Sequence, residues 1–313
     1  MTSREVLILA PNAAEYLPLL EGLHSDGLLI SLAGSASDTA EPGNGPGIIL
    51  GQPDLVAEYL AGGAAVDWVQ STWAGVTPLL ELGRRDYRLT GVKDVFGQQI
   101  SEYVLAYLLA HELKLLERLG RQANRDWWSE PAGTLAGRTL GIMGTGSIGR
   151  YLARMAAPFG VRVLGLSRSG AAVPGFDTVF PAGKLHDFLA SLDYLVCTLP
   201  QTAKTERMLD TAALASVRRG CYLVNVGRGS VIDEKALLAA LNSGHLGGAA
   251  LDVFREEPLP QYSPLWHAPD TLVTAHVAAK SRPEDIANIF IENYRRYKSG
   301  QNLKHLIDFN KGY

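Results

Sequence analysis

Cysteine is scarce: the 313 residues contain two, Cys197 and Cys221, each inside an apolar run and neither in a CxxC pair or a Cys/His cluster. That excludes a disulfide scaffold and a cysteine-built zinc site, and it is what a chain kept in a reducing, cytoplasmic compartment would show. An excess of charge of one sign is lacking too. The 29 Lys+Arg against 32 Asp+Glu leave a net charge of −3, which provides no basic footprint for nucleic acid or an anionic membrane. Long apolar stretches are also missing. The longest, residues 103–110, is far below the roughly 18–20 residues of a spanning helix. Near the start only residues 6–10 are apolar before Pro11, too few for the core of a signal peptide. The chain therefore reads as soluble, unexported and cytoplasmic, and its 47% apolar content is ample for two domains.

Glycine, by contrast, is abundant at 33 residues, so the question is where the backbone needs it. Over the first hundred residues, short apolar runs at 6–10, 28–32, 48–50 and 66–69 alternate with helical stretches at 14–23 and 55–60, while the Gly/Ser/Pro-rich segment 33–47 reads as a solvated loop. Such βα alternation predicts a parallel sheet. Ser101 is an N-cap candidate followed by Glu102, and a helical pattern runs from it through Tyr103, Ala106, Tyr107, Ala110 and Leu113 towards Arg125. This predicts a helix of roughly 37 Å. It would bridge domains, pack on another subunit, or serve the core of its own domain. Beyond Trp127, Trp128 and Pro131 the alternation resumes with six strands expected at 139–143, 161–166, 194–198, 221–226, 249–253 and 271–274, a doubly wound count. The amphipathic stretch 283–298 is then free to return to the first domain.

The first of those six strands runs into Gly144-Thr145-Gly146-Ser147-Ile148-Gly149, followed by a helical segment and another strand. Gly144 permits a tight turn, Gly146 lets a pyrophosphate approach the backbone, Gly149 packs helix on strand, and the helix N-terminus at Ser147 and Ile148 favours the anion. Three glycines alone would be weak evidence; the strand-turn-helix-strand context makes this a dinucleotide site. About 20 residues on, where an NAD site places an acid for the ribose 2′-hydroxyl, the chain has Ser167-Arg168-Ser169. A guanidinium accepts a 2′-phosphate that a carboxylate would repel, so NADP(H) is favoured over NAD(H). The bland alternative is an ordinary loop cation at Arg168.

Ligands of open parallel sheets sit beyond the carboxyl ends of the strands. Three such ends carry Gly227-Arg228-Gly229, then Arg255-Glu256-Glu257-Pro258, then Ala275-His276. Singly, these could be a solvated turn, a surface acid and a core histidine. Together, beside a nicotinamide, they suit hydride transfer to a 2-oxo acid. Arg228 would grip the substrate carboxylate and polarise the carbonyl, His276 would protonate the developing alkoxide, and Glu257 would orient the imidazole and favour its cationic form. That chemistry asks for no metal.

These residues, with Leu135-Ala136-Gly137-Arg138-Thr139-Leu140-Gly141-Ile142, Leu199-Pro200-Gln201-Thr202, Asn225-Val226-Gly227-Arg228-Gly229, Leu251-Asp252-Val253-Phe254, Glu257-Pro258-Leu259 and Thr274-Ala275-His276, resemble the D-isomer-specific 2-hydroxyacid dehydrogenases over nearly the whole chain. Thr72-Trp73-Ala74-Gly75-Val76 and the ending from Asp308 to Tyr313 look like the glyoxylate/hydroxypyruvate reductase A branch. The resemblance implies catalytic roles for Arg228, Glu257 and His276, and cofactor contacts at Leu199, Pro200, Thr205, Val226, Gly227, Arg228 and Asp252. It implies substrate contacts from the Ala74 and Gly75 amides and from Trp73. It further implies an α/β chain of two doubly wound parallel-sheet domains: a flavodoxin-like substrate-binding domain of residues 1–98 plus 280–313, and a Rossmann dinucleotide-binding domain of residues 99–279. The helix from Ser101 would then lie at a homodimer interface. Ala275 and Val277 depart from the family's usual Thr-Pro-His-Ile. An NAD-dependent enzyme of another specificity, such as a phosphoglycerate dehydrogenase, is the alternative within the family, although its regulatory extension and its acid at Ser167 are missing. A dinucleotide-sensing corepressor is the alternative outside catalysis, and the sequence shows no disordered tail or basic segment for it.

Overall fold

The computed structural model describes residues 5–39 and 45–312; the centre of the loop expected at 33–47 and the terminal Tyr313 lie outside them. The chain divides into two compact units, Met1–Val95 with Ser281–Tyr313, and Phe96–Lys280.

In the first unit five strands, β1 (Glu5–Leu9), β2 (Leu29–Ala33), β3 (Gly47–Gly51), β4 (Val66–Ser71) and β5 (Arg88–Thr90), form one parallel sheet in the order 2-1-3-4-5, the flavodoxin-like arrangement. β1 and β3 are almost wholly buried, as expected of strands covered on both faces. Helices α1 (Leu17–Leu20), α2 (Pro53–Ala61) and α3 (Thr77–Glu81) connect them. The stretch expected as one helix at 14–23 is instead two 3-10 turns flanking the single turn of α1, with Pro18 at its start; the ring fixes φ and removes a donor there. β5 was not expected: three residues with one exposed end carry no periodicity to read.

The second unit begins with α4 (Gly97–Glu112) and α5 (Leu115–Ala123), where the sequence predicts one helix from Ser101. Ser101 does not cap. It is buried inside α4 and its hydroxyl donates to Gly97 O at 2.6 Å, the back-bonding mode of a mid-helix serine. The chain then breaks at Lys114, which is left-handed. The carbonyls freed at the break are taken by Gly133 N–H on Glu112 O and by Arg118 Nε on Leu113 O. α4 is thus about 24 Å long, not 37 Å. Gly97 has no room for a side chain, since a Cβ would stand 2.6 Å from Tyr151 Cγ.

The remaining strands are β6 (Thr139–Met143), β7 (Arg162–Ser167), β8 (Thr178–Pro181), β9 (Tyr194–Cys197), β10 (Cys221–Asn225), β11 (Leu246–Leu251) and β12 (Thr271–Val273), interleaved with α6 (Ser147–Ala156), α7 (Leu185–Leu189), α8 (Thr211–Ser216) and α9 (Glu234–Asn242). All seven are parallel, in the order 12-11-10-9-6-7-8. This is the Rossmann order 3-2-1-4-5-6 with one strand added beyond the sixth. Six were expected; the extra one is β8, an edge strand whose exposed ends and terminal proline erase the apolar run. At the amino ends of the central strands Asp193 ties three of them together. Its Oδ2 accepts from Thr139 N, its main-chain N–H donates to Thr139 O, its carbonyl accepts from Tyr222 N, and its Oδ1 takes Arg218 Nη1 at 2.6 Å.

The last helix, α10 (Pro283–Lys298), belongs to the first unit. Phe290 and Tyr297 stack on Trp68 of β4 at 5.2 and 5.6 Å, and Asn293 Nδ2 donates to Gln70 Oε1. Among the described residues no helix is long and apolar enough to cross a membrane.

Candidate active site

The turn after β6 has the geometry the glycines predict. Gly144 holds φ at +105°, a value side chains rarely adopt. A Cβ on Gly149 would lie 1.9 Å from Gly144 O, so only glycine lets α6 meet the strand so closely. A Cβ on Gly146 would meet nothing within 4 Å: that glycine is spared for space outside the fold. Gly146 is the N-cap residue of α6, whose first turn is Ser147, Ile148 and Gly149, so unpaired amides face the same space. Beside it, where the strand order reverses between β6 and β9, the Thr198 hydroxyl donates to Met143 O at 2.9 Å. The following loop, Leu199 and Pro200, is closed by Thr205, whose hydroxyl donates to Pro200 O and accepts from Thr202 N. These features fit a bound dinucleotide: a donor-lined opening at a helix N-terminus, at the switch point of a parallel sheet.

At the end of β7, Ser167 accepts from Gly170 N and Ser169 from Ala171 N. Their hydroxyls thus shape the turn that presents the exposed Arg168. No carboxylate occupies these three positions.

Beyond β10 the chain passes through Val226, buried, and Gly227, whose N–H donates to Asn225 Oδ1. A Cβ on Gly227 would come within 2.7 Å of Leu199 O, and one on Gly229 within 1.9 Å of the Phe254 carbonyl carbon. The glycines on either side of Arg228 therefore let the loops after β9, β10 and β11 converge on it. Arg228 Nη1 donates to Gly227 O at 2.7 Å. Burial pushes the guanidinium below its usual value while the Glu257 carboxylate pulls the other way; it stays cationic at neutral pH.

Glu257 does two things. Its Oε1 accepts from Phe254 N at 2.9 Å, which locks the side chain against its own loop, and its Oε2 meets His276 Nδ1 at 2.7 Å. A carboxylate accepts, so Nδ1 carries the proton and Nε2 is the nitrogen left for chemistry. His276 itself sits at φ +54°. Its N–H donates to Asp252 O at 2.8 Å, while the buried Asp252 carboxylate accepts from Thr274 Oγ1, Val277 N and Ala278 N. The structure thus brings Arg228, Glu257 and His276 onto the carboxyl edge that also carries the glycine loop. Asp252, which the resemblance implies only as a cofactor contact, also brackets this loop, a role the sequence does not show because its partners lie more than twenty residues away.

Trp73, Ala74 and Gly75 follow β4 in the first unit, where the Ser71 hydroxyl accepts from Trp73 N and donates to Trp73 O, folding the turn tightly and leaving Trp73 exposed. A separate cavity of about 650 Å³ lies at the opposite, amino ends of the strands of the second unit, lined by His111, Lys114, Leu116, Arg138, Tyr222 and Asp270 among others. It holds none of the residues expected to bind cofactor or substrate or to take part in catalysis.

Known proteins share much of this chain's sequence and fold. The family described as D-isomer specific 2-hydroxyacid dehydrogenase, NAD binding domain, matches residues 105–278. Glyoxylate/hydroxypyruvate reductase A of Klebsiella pneumoniae (strain 342) is 34% identical over 253 residues, 80% of each chain. A D-isomer specific 2-hydroxyacid dehydrogenase family protein from Aeromonas salmonicida subsp. salmonicida A449 superposes with a TM-score of 0.92 at 43% identity, covering 98% of this chain and 100% of that one. An NADPH-dependent glyoxylate/hydroxypyruvate reductase from Sinorhizobium meliloti, solved with NADP and sulfate, gives a TM-score of 0.89 at 29% identity, covering 99% and 100%.

Proposed function

The chain belongs to the D-isomer-specific 2-hydroxyacid dehydrogenases and is an NAD(P)-dependent oxidoreductase; on that premise we propose that it is an NADPH-preferring reductase of small 2-oxo acids, of the glyoxylate or hydroxypyruvate type, that forms D-2-hydroxy acids. The observation that carries the reading is Glu257, whose carboxylate meets the imidazole of His276 at 2.7 Å and also acts on the Arg228 guanidinium.

NADPH, when bound, supplies the hydride. Arg228 pairs its guanidinium with the substrate carboxylate and so fixes which face of the carbonyl is presented. As the carbonyl oxygen gains negative charge, His276 in its imidazolium form gives it the Nε2 proton, and the carbonyl becomes a hydroxyl. Glu257 stabilises the imidazolium before transfer and keeps the ring aimed afterwards. The amides of Gly146 to Ile148 hold the pyrophosphate, with Leu199, Pro200, Thr205, Val226, Gly227 and Asp252 around the rest of the dinucleotide. Trp73, Ala74 and Gly75 contact the substrate; this assignment rests on the family resemblance.

The coenzyme preference is supported by Ser167, Arg168 and Ser169, which offer a cation and hydroxyls where an NAD site has an acid, and by the similar reductase solved with NADP. The setting is cytoplasmic, where the two buried thiols stay reduced. The enzyme works as a homodimer through α4 and its continuation: no residue of α5 is buried, and Leu115, Leu116 and Leu119 are all exposed on it, an apolar patch of the kind that marks an interface.

The test is a panel of glyoxylate, hydroxypyruvate, pyruvate and bulkier 2-oxo acids with NADPH and with NADH, the product's handedness being determined and the mass measured in solution. Reduction of a small substrate with NADPH, giving the D-product, is expected. Reduction only of bulky substrates, or faster turnover with NADH, would overturn the reading.

A further inference from the structure

His276 adopts a backbone conformation that a residue with a side chain rarely holds, at φ +54°. Such a conformation persists only where its surroundings over-determine it. Neither neighbour helps by covalent constraint: Ala275 has no ring to fix its φ, and Val277 is exposed, with little packing of its own. Hydrogen bonds must therefore do the holding: Glu257 takes the imidazole and Leu251 O takes Thr274 N–H, while the bonds of the main chain from His276 to Ala278 converge on one residue. Asp252, 1% exposed, accepts from His276 N through its carbonyl, from Val277 N (2.8 Å) and Thr274 Oγ1 (2.6 Å) through Oδ1, and from Ala278 N (3.0 Å) through Oδ2.

The direction of the next bond follows from this set. A carboxylate only accepts, so the Thr274 hydroxyl spends its proton on Asp252 and keeps its lone pairs for Tyr103 Oη, 2.7 Å away. The phenol of Tyr103 must then be the donor. It comes from α4, packs on Tyr107 with ring centroids 4.5 Å apart, and burial raises its ionisation far above the normal range, so it remains a phenol. The result is a one-way chain from Tyr103 through Thr274 to Asp252, ending on the main chain that carries His276.

We propose that Thr274 is a positioning residue for the proton transfer: its hydroxyl, oriented by Tyr103, fixes the Asp252 carboxylate that clamps the left-handed backbone of His276 and so sets the imidazole. Without that hydroxyl, Asp252 Oδ1 is free to turn, the Val277 bond slackens, and the ring keeps its partner Glu257 but loses its aim. The proposal rests on the reductase reading above and sharpens it.

The experiment compares Thr274→Val, nearly isosteric but without the hydroxyl, with Thr274→Ser, which restores it, and with Tyr103→Phe, which removes the upstream donor. Three quantities are measured: kcat and KM for glyoxylate and NADPH, NADPH affinity by fluorescence, and amide hydrogen exchange at Val277 and Ala278. The expected result is a fall in kcat of roughly tenfold or more in Thr274→Val, with NADPH affinity within about twofold, recovery in Thr274→Ser, a smaller loss in Tyr103→Phe, and faster exchange of both amides in Thr274→Val. The proposal is overturned if Thr274→Val turns over like the parent, if the serine and valine variants are equally impaired, or if the loss falls on NADPH affinity rather than kcat. A parent protein that reduces no 2-oxo acid would sink the reductase reading instead. The exchange measurement would still decide whether Thr274 holds the loop, unchanged protection of both amides counting against it.

Discussion

Two loops on the same edge of the second sheet are built by opposite means. The turn after β6 works by omission: Gly144, Gly146 and Gly149 are placed where a side chain would be strained, would fill open space, or would strike backbone. The loop after β12 works by addition, its shape imposed by Asp252 and its imidazole by Glu257, residues twenty or so positions away. A site made of room is local in the chain, whereas a site made of bonds is assembled from afar. The first kind should therefore fail through added bulk and the second through removed polar groups.

The largest expected effect tests the second kind. His276→Ala should lower kcat by roughly two to four decades, the scale of a lost general acid, with NADPH affinity nearly unchanged; stopped-flow turnover with equilibrium binding checks it, and an undiminished kcat would remove the proton-donor role. Bulk added to the first kind comes next and separates its glycines. Gly149→Ala forces a methyl group against Gly144 O and should cost on the order of 3 kcal/mol, a drop in Tm of roughly 6–12 °C. Gly146→Ala enters open space and should leave Tm in place while weakening NADPH about tenfold, the worth of one charge-assisted bond of ~1.5 kcal/mol. Calorimetry and binding on the two variants would erase the distinction if both changed in the same way. Last, Arg168→Ala should raise KM for NADPH by roughly tenfold and leave KM for NADH within about twofold; equal effects on the two coenzymes would show that this cation does not read the 2′-phosphate.

The contrast also explains what was legible in the sequence. Strands buried on both faces, such as β6, β9 and β10, announce themselves as unbroken apolar runs, and the glycine turn follows directly from its strand and helix. Arg228, Glu257 and His276 drew notice because each follows an expected strand, β10, β11 and β12, although β12 is only half-buried. β5 and β8 were not, because short edge-type strands with exposed ends carry no pattern. The start of α4 was misplaced because a serine followed by a glutamate looks the same whether it caps a helix or back-bonds within one. The break at Lys114 depends on partners at Gly133 and Arg118 that no local rule supplies. Asp252 appeared in the sequence only as a residue near the cofactor; its grip on the His276 loop exists only once the fold has brought the two together.

Asp193 illustrates how charge can mislead when variants of this protein are sorted by effect. It is an acid between two arginines, Arg138 and Arg218, and a screen that scores only activity would count its loss as a catalytic defect. Yet it stitches the opposite ends of the strands from those that carry Arg228, Glu257 and His276. Its replacement should show up as scarcity of folded enzyme in the cell, with each surviving molecule turning over at the ordinary speed.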